Sequence, residues 1–555
     1  MSLVECRAVS YTYPGASTPA LSDLQLTIEP GELVVLAGLS GSGKSTLLRV
    51  LNGLAPHFYG GEFGGDVRIA GLDARLCGPA LLAEHVGSLF QDPETQVILG
   101  TPRSELAFPL ENRGWAPTAI ARAVEETALA LGIERLLDRT TDTLSGGELQ
   151  RVALGATLVA RPAVVCLDEP TSQLDPVAGE ELIGLLRRLN EDTDLTVVLA
   201  EHRLERCLPA ADRVLALDAG QLIFDGSAPD FLEFALINAV RLVTPGARLL
   251  ADCGLRPRPG VKAARAALRQ VGYRLDPAGS VLAGRRPTAP RVSARPAAQP
   301  VLALRHVWHE LRDGPVILRD VTLALAAGER VALMGRNGAG KSTLLRHSAG
   351  LMAPTRGSVK AAGRVALLLQ NPGDYLVSDT VSGEVDGNIA SLERFGLDAL
   401  LHRHPRDLSG GERQRLALAV VLGGDPADHP AAVCLDEPTR GMDRVARDQL
   451  RSMLEAYDGA VVVATHDAEF AAEFAGRVVL LAEGRVIADG PTAEILTGGD
   501  YFTTETARIL AGLRTSGVIL EVGDPDAASA GPALLPTQGA ELLKKCTPCR
   551  QGMVA

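Results

Sequence analysis

Two short apolar runs, LVVLAG at 33–38 and RVALMG at 330–335, end in glycine and read as buried strands. Each leads through a glycine-rich loop into a second apolar stretch, STLLRVLNGL (45–54) or STLLRHSAGL (342–351), that reads as a helix. Further on, the apolar runs of VVCLDEPT (164–171) and AVCLDEPT (432–439) end in paired acids, which predicts strands with carboxylates at their C-terminal edges. Between these blocks LSGGELQRVAL (144–154) recurs as LSGGERQRLAL (408–418). Block order is the same in both halves, so the chain is a tandem duplication of roughly 230-residue units, each long enough to be a complete domain.

The expected boundaries are 1–230 and 301–500 for the two repeats, 231–300 for an appended segment and linker, and 501–555 for a C-terminal tail. FLEFALINAVRLV, which begins at residue 231, is helix-like, whereas RRPTAPRVSARPAAQP at 285–300 has no hydrophobic period and reads as an extended linker. The tail from about 515 is rich in Gly, Pro and Ala and is expected to be loosely ordered.

The glycine loops carry chemistry. Gly38-Leu-Ser40-Gly41-Ser42-Gly43-Lys44-Ser45-Thr46 and Gly335-Arg-Asn337-Gly338-Ala339-Gly340-Lys341-Ser342-Thr343 both fit GxxxxGK[ST] in a strand–loop–helix setting. Glycines let successive N–H groups turn toward one anion, and the helix N-terminus adds partial positive charge. Lys44 and Lys341 bring compact charges to phosphate, and Ser45 and Ser342 bring hydroxyls suited to a magnesium ion. Only six lysines occur in the chain, and two of them sit here. At the acidic strand ends, Asp168 and Asp436 are placed to hold Mg²⁺, and Glu169 and Glu437 to polarise an attacking water.

Composition narrows the classes. Net charge is −12, which disfavours general nucleic-acid binding. No apolar run reaches eighteen residues, so no membrane span is expected, and the N-terminus lacks a basic segment followed by an apolar core, which points to the cytosol. Of eight cysteines only Cys546 and Cys549 form a CxxC, with no second pair nearby for zinc, while Cys166 and Cys434 sit in apolar runs as buried thiols.

With LSGGE between a phosphate loop and LDEPT, the chain resembles the ABC ATPases over about 1–230 and 300–500. That resemblance implies an α/β fold of tandem P-loop NTPase domains, each with a RecA-like parallel-sheet core, an antiparallel β subdomain and a helical subdomain. It implies ATP and Mg²⁺ as ligands. Gln91 and Gln370 look like glutamines that touch Mg²⁺ and couple to a membrane subunit. Ser145, Gly146 and Gly147 look like one signature motif, and Ser409, Gly410 and Gly411 the other. In the family the signature of one domain closes over ATP held by its neighbour, so Lys44 would pair with Ser409 and Lys341 with Ser145 in an internal pseudo-dimer. His202 and His466 look like switch histidines, and Asp175 and Asp443 like D-loop residues. Tyr13 resembles the aromatic that stacks on adenine, while the second half offers only Trp308 or His309 near that place.

The halves are unequal, since 47 positions separate Lys44 from Gln91 but 29 separate Lys341 from Gln370, which predicts a trimmed second helical arm. FQDPETQVILGTPRSELAFPLENRG (90–114), PHFYGGEFGGDV (56–67) and AEHRLE (200–205) resemble the fused ATPases of energy-coupling factor transporters. This implies uptake of a vitamin, metal ion or similar micronutrient, a peripheral position on the cytoplasmic face of the membrane, and integral membrane partners. A peptide- or other-solute importer is the alternative within transport. ABC ATPases acting on ribosomes or DNA are a separate class; their iron–sulfur or zinc cysteine arrays do not appear.

Overall fold

The computed structural model describes residues 2–275, 300–312, 314–370, 372–408, 410–422, 429–497, 501–511, 513–515, 518–519 and 533–545. Ser409, Cys546, Cys549 and the proline-rich linker from 276 to 299 lie outside these residues. The chain forms two compact units, one of residues 1–251 with 255–264 and one of 252–254 with 265–555.

In unit 1 a six-stranded sheet runs in the order Gln221–Gly226, Arg213–Asp218, Leu33–Ala37, Thr196–Ala200, Val164–Asp168, Val86–Leu89. All neighbouring pairs are parallel except the first, which is antiparallel. Every residue of Leu33–Ala37, Val164–Asp168 and Thr196–Ala200 is buried, as expected of strands covered on both faces. A four-stranded antiparallel sheet (Leu21–Ile28, Val4–Thr12, Glu62–Ile69, Leu72–Asp73) supplies a second layer. Helices Pro102–Asn112, Pro117–Leu131 and Gly146–Leu158 form a helical arm.

Unit 2 repeats this plan, with Arg485–Pro491, Arg477–Ala482, Arg330–Met334, Ala460–Ala464, Ala432–Asp436 and Val365–Leu368 in the same order. Its helical arm is shorter, since Val381–Glu384 and Ile389–Arg394, of 4 and 6 residues, stand where unit 1 has helices of 11 and 15. Cys166 and Cys434 are buried in the central sheets, and burial pushes both thiols up to about 12.

The boundaries differ from those read in the sequence. Helices Ala228–Asn238, Pro245–Asp252 and Gly260–Gln270 fill the segment between the repeats, and the division between units falls among them, not at the linker. The tail also contains order that its composition hides. Helix Pro536–Lys545 buries Leu543 completely, and the Tyr273 hydroxyl donates to the Leu543 carbonyl at 3.1 Å. Arg265 caps helix Glu505–Leu510 by donating to the carbonyls of Arg508 (3.1 Å) and Ala511 (2.8 Å). A few apolar residues at helical spacing were enough to dock this segment among many glycines and prolines.

One arginine in each unit ties the two sheets together. Arg477 clamps Asp489 with two bonds of 2.5 and 2.6 Å, and also donates to Glu329 and the Ala324 carbonyl. Arg213 does the same to Asp225, Glu32 and the Thr27 carbonyl. The Asp489 side chain is 4% exposed and that of Asp225 33%, so removing the cation strands a buried charge only in unit 2. Arg477→Ala is therefore expected to cost about 3 kcal/mol and Arg213→Ala clearly less. Chemical denaturation of the two variants checks the order; equal losses would contradict it.

Candidate functional site

Each glycine loop bends in a way that only glycine allows at its first position. Gly38 and Gly335 have φ of +155° and +154°, and a Cβ on Gly38 would lie 2.6 Å from the Leu217 carbonyl oxygen. The loops curl around their own lysines. Lys44 Nζ donates to the carbonyls of Gly38 (2.8 Å) and Leu39 (2.9 Å), and Lys341 Nζ to those of Gly335 (2.8 Å) and Arg336 (3.3 Å). Both lysines are buried at the start of helices Lys44–Leu51 and Lys341–Ser348. Ser40, Gly41, Ser42 and Gly43 complete the first loop; Asn337, Gly338, Ala339 and Gly340 complete the second. Ser42 Oγ is buried and finds no partner among the described residues, which leaves an unsatisfied polar atom for a ligand to meet.

The acids stand where their strands end. Ser45 Oγ donates to Asp168 Oδ1 at 3.1 Å, and Ser342 likewise bonds Asp436. Burial pushes both aspartates above the usual carboxylate range and the charge of the adjacent glutamate adds to this, while the serine bond and nearby cations oppose it. Glu169 and Glu437 lie in the left-handed region (φ +50° and +49°), an uncommon state for a non-glycine residue. Their N–H groups donate to the carbonyls of Ala200 (2.9 Å) and Ala464 (2.8 Å) on the adjoining strand, which holds that turn. The turn directs each glutamate at a histidine. His202 Nε2 lies 2.8 Å from Glu169 Oε1, and His466 Nδ1 lies 2.9 Å from Glu437 Oε2. Gln91 Nε2 donates to Glu169 Oε2 at 3.0 Å, whereas Gln370 is exposed. Lys341 Nζ lies 3.7 Å from Glu437 Oε1.

The signature residues open helices. Ser145 caps Gly146–Leu158 through a reciprocal box with Glu148, and Gly146 and Gly147 lie close to Gln173 and Leu174. In unit 2 Gly410 begins helix Gly410–Leu422 and Gly411 follows. Asp175 and Asp443 also serve as caps, accepting from Ala178 N (3.0 Å) and Ala446 N (2.9 Å).

Tyr13 sits beside the phosphate-loop helix, its hydroxyl 3.3 Å from Thr46 Oγ1 and accepting from Arg49 at 2.8 Å. Neither second-half aromatic stands in its place. Strand pairing matches Tyr11 with Leu21 and His309 with Leu318, so His309 holds Tyr11's position and Leu311 holds that of Tyr13. His309 is buried against His347, and Trp308 carries the Arg356 guanidinium over its ring. The cause is a hairpin one residue shorter in the second half.

Several residues went unnoticed in the sequence. Glu201, 2% exposed, receives the N–H groups of Thr171 (2.8 Å) and His202 (3.2 Å). Glu105 accepts from the backbone of Ile98 (3.1 Å) and Leu99 (2.8 Å), and Glu384 accepts from Val377 and Ser378. The signal for that pair was available, because Glu105 and Glu384 follow Gln91 and Gln370 at the same spacing.

The ABC transporter family profile matches residues 21–172 and 318–440, the spans that contain both phosphate loops and both acidic strand ends. A protein of Streptomyces avermitilis named as an ABC transporter ATP-binding protein is 42% identical, over 92% of this chain and 97% of its own. The chain belongs to the ABC transporter ATP-binding family. A Methanosarcina acetivorans member of the same description is 33% identical over 89% of this chain and 85% of its own. The structure of an archaeal ribosome recycling factor in complex with a ribosomal stalk protein shares the fold, with a TM-score of 0.56 at 22% identity over 88% of this chain and 91% of that one. This ABC protein is thus a tandem ABC ATPase whose domains bind ATP. Among the described residues no helix is long and apolar enough to cross a membrane.

The raised aspartates give a test of the ligand-free ABC protein. A carboxyl whose pKa is higher folded than unfolded holds its proton more tightly when folded. Its contribution to stability is therefore best below the unfolded pKa and is lost as pH rises through the folded value. Asp168→Asn keeps an acceptor for Ser45 but cannot ionise. It should raise the melting temperature at pH 7, with the gain shrinking toward about pH 4. A gain of equal size at both pH values would contradict the burial assigned to this carboxyl.

Proposed function

We propose that this ABC ATPase is the motor subunit of a multi-subunit importer of the energy-coupling factor type, taking up a vitamin, metal ion or similar micronutrient. It would lie peripherally on the cytoplasmic face of the membrane, against integral membrane subunits. The observation that carries this reading is a repeated loop. Seven residues past Gln91 and Gln370 an apolar side chain projects into solvent, Ile98 at 67% exposure and Val377 at 88%. Behind each one a carboxylate, Glu105 or Glu384, pins the loop backbone. A fixed loop with an apolar tip, directly connected to a residue of the catalytic cluster, supports a role as the contact for another protein. Phe90, Phe108 and Trp115 are further exposed large side chains of the same segment in unit 1.

In the proposed cycle Lys44 and Lys341 hold the triphosphates, and the second phosphate contact comes from Ser409 for the first and Ser145 for the second. Ser45 with Asp168, and Ser342 with Asp436, offer hard oxygen donors that suit Mg²⁺, with Gln91 and Gln370 in reach of the same role. The ion supplies charge neutralisation for phosphoryl transfer. Glu169 and Glu437 orient the attacking water, and His202 and His466 hold those carboxylates in place. Loss of phosphate removes shared contacts and lets the halves part, a population shift driven by differential affinity.

Two measurements test this. Glu169→Gln with Glu437→Gln should lower turnover by at least about 100-fold while ATP still binds; undiminished turnover would remove both glutamates from the base role. Ile98→Asp with Val377→Asp should release the chain from native membranes with ATP binding unchanged. Retention on membranes, or sedimentation of the wild-type chain with ribosomes, would count against the importer.

A further inference from the structure

The two phosphate loops are closely alike, but the surroundings of their helices are not. In unit 1 an aromatic box stands beside helix Lys44–Leu51. The Tyr13 ring meets Tyr11 edge-to-face at 4.8 Å and Tyr59 at 5.9 Å. Arg49 donates to the Tyr13 hydroxyl at 2.8 Å and lies 4.9 Å from the centre of the Tyr59 ring. The segment carrying Tyr59 is anchored from below, where the Tyr11 hydroxyl donates to the Gly60 carbonyl at 2.7 Å. Tyr13 and Tyr59 remain partly exposed, so the box presents aromatic surface to solvent next to the phosphate site.

Unit 2 has lost each part of this arrangement. Leu311 holds the Tyr13 position, and His309, at the Tyr11 position, is buried against His347. The segment that carries Phe58 and Tyr59 is shortened. Ten residues separate Gly53 from Gly64 in unit 1, but only five, none aromatic, separate Gly350 from Arg356 in unit 2. Thr343 and Arg346 keep the places of Thr46 and Arg49 but have no phenol to meet, and Arg346 is exposed. The loop glycines, Lys341, Ser342 and Asp436 persist, while Ala339 stands where unit 1 has Ser42.

We propose that the chain reads the nucleobase at only one of its two phosphate loops. Unit 1, through Tyr13, Tyr59 and Arg49, selects a triphosphate that carries a base. Unit 2 binds the triphosphate with no preference for what is attached to it. The physical reason is the stacking surface. An aromatic platform adds about 5- to 150-fold to the affinity for a stacked base, and a leucine offers no π-face. This inference rests on both loops binding nucleotide, and the test separates the two claims.

Binding of ATP, CTP and inorganic tripolyphosphate, each with magnesium, is measured by calorimetry on two full-length variants. Lys341→Ala leaves the unit 1 loop, and Lys44→Ala leaves the unit 2 loop. The Lys341→Ala chain should bind ATP at least about 10-fold more tightly than tripolyphosphate. Adding Tyr13→Phe should keep that preference, and adding Tyr13→Leu, which copies unit 2, should abolish it. The Lys44→Ala chain should bind all three ligands within about threefold of one another. A Lys44→Ala chain that prefers ATP as strongly as its counterpart, or a preference that survives Tyr13→Leu, would overturn the proposal while leaving two nucleotide sites intact. If the folded variants bind none of the three ligands, the nucleotide reading itself falls.

Discussion

Lys44 and Lys341 are buried ammonium groups held by carbonyls of their own loops, and much of each unit is organised around that fact. A buried cation needs oxygen partners. Here the backbone supplies them, because Gly38 and Gly335 turn where no side chain would fit. The fully buried strands beside each loop then bring Asp168 or Asp436 within bonding reach of the following serine. The left-handed turn at the next residue swings a glutamate toward a histidine from a third strand end. Three separate stretches of sequence thus meet beside each glycine loop.

Most of this was legible in the chain because it is built from short local signals whose spacing survives duplication. The strand–loop–helix pattern, the acidic strand ends and the shorter second arm all appear where the apolar runs placed them. Three features were not legible, each for a different reason. The order in the tail depends on long-range partners, such as Tyr273 with Leu543 and Arg265 with Arg508, that no local pattern reveals. The pinning carboxylates Glu105 and Glu384 look like ordinary surface acids until backbone N–H groups six and seven residues upstream are seen to need them. The place of Tyr13 in the second half could not be read by counting back from the phosphate loop, since the hairpin between differs by one residue. Strand pairing fixes the match where residue counting misassigns it.

Duplication followed by unequal divergence accounts for which parts differ. The glycine loops and the acidic strand ends adjoin the fully buried central sheets, where a change of length would disturb a packed core. The hairpin beside Tyr13, the loop with Tyr59 and the helical arm lie at the periphery, where insertions cost little. The two halves have therefore kept one chemistry while diverging in what surrounds it.

The pairing of Arg274 and Leu275 with Arg514 and Leu513, together with the hold of Arg265 on Arg508 and Ala511, has a consequence for how this polypeptide can be divided. A protease acting on the proline-rich stretch would cut the covalent thread but not the architecture. The upstream fragment would carry away one strand and half a helix that the downstream fragment needs, and the pieces would stay associated as a nicked whole. A gene split to express the two halves separately would have to leave residues 265–275 with the second product.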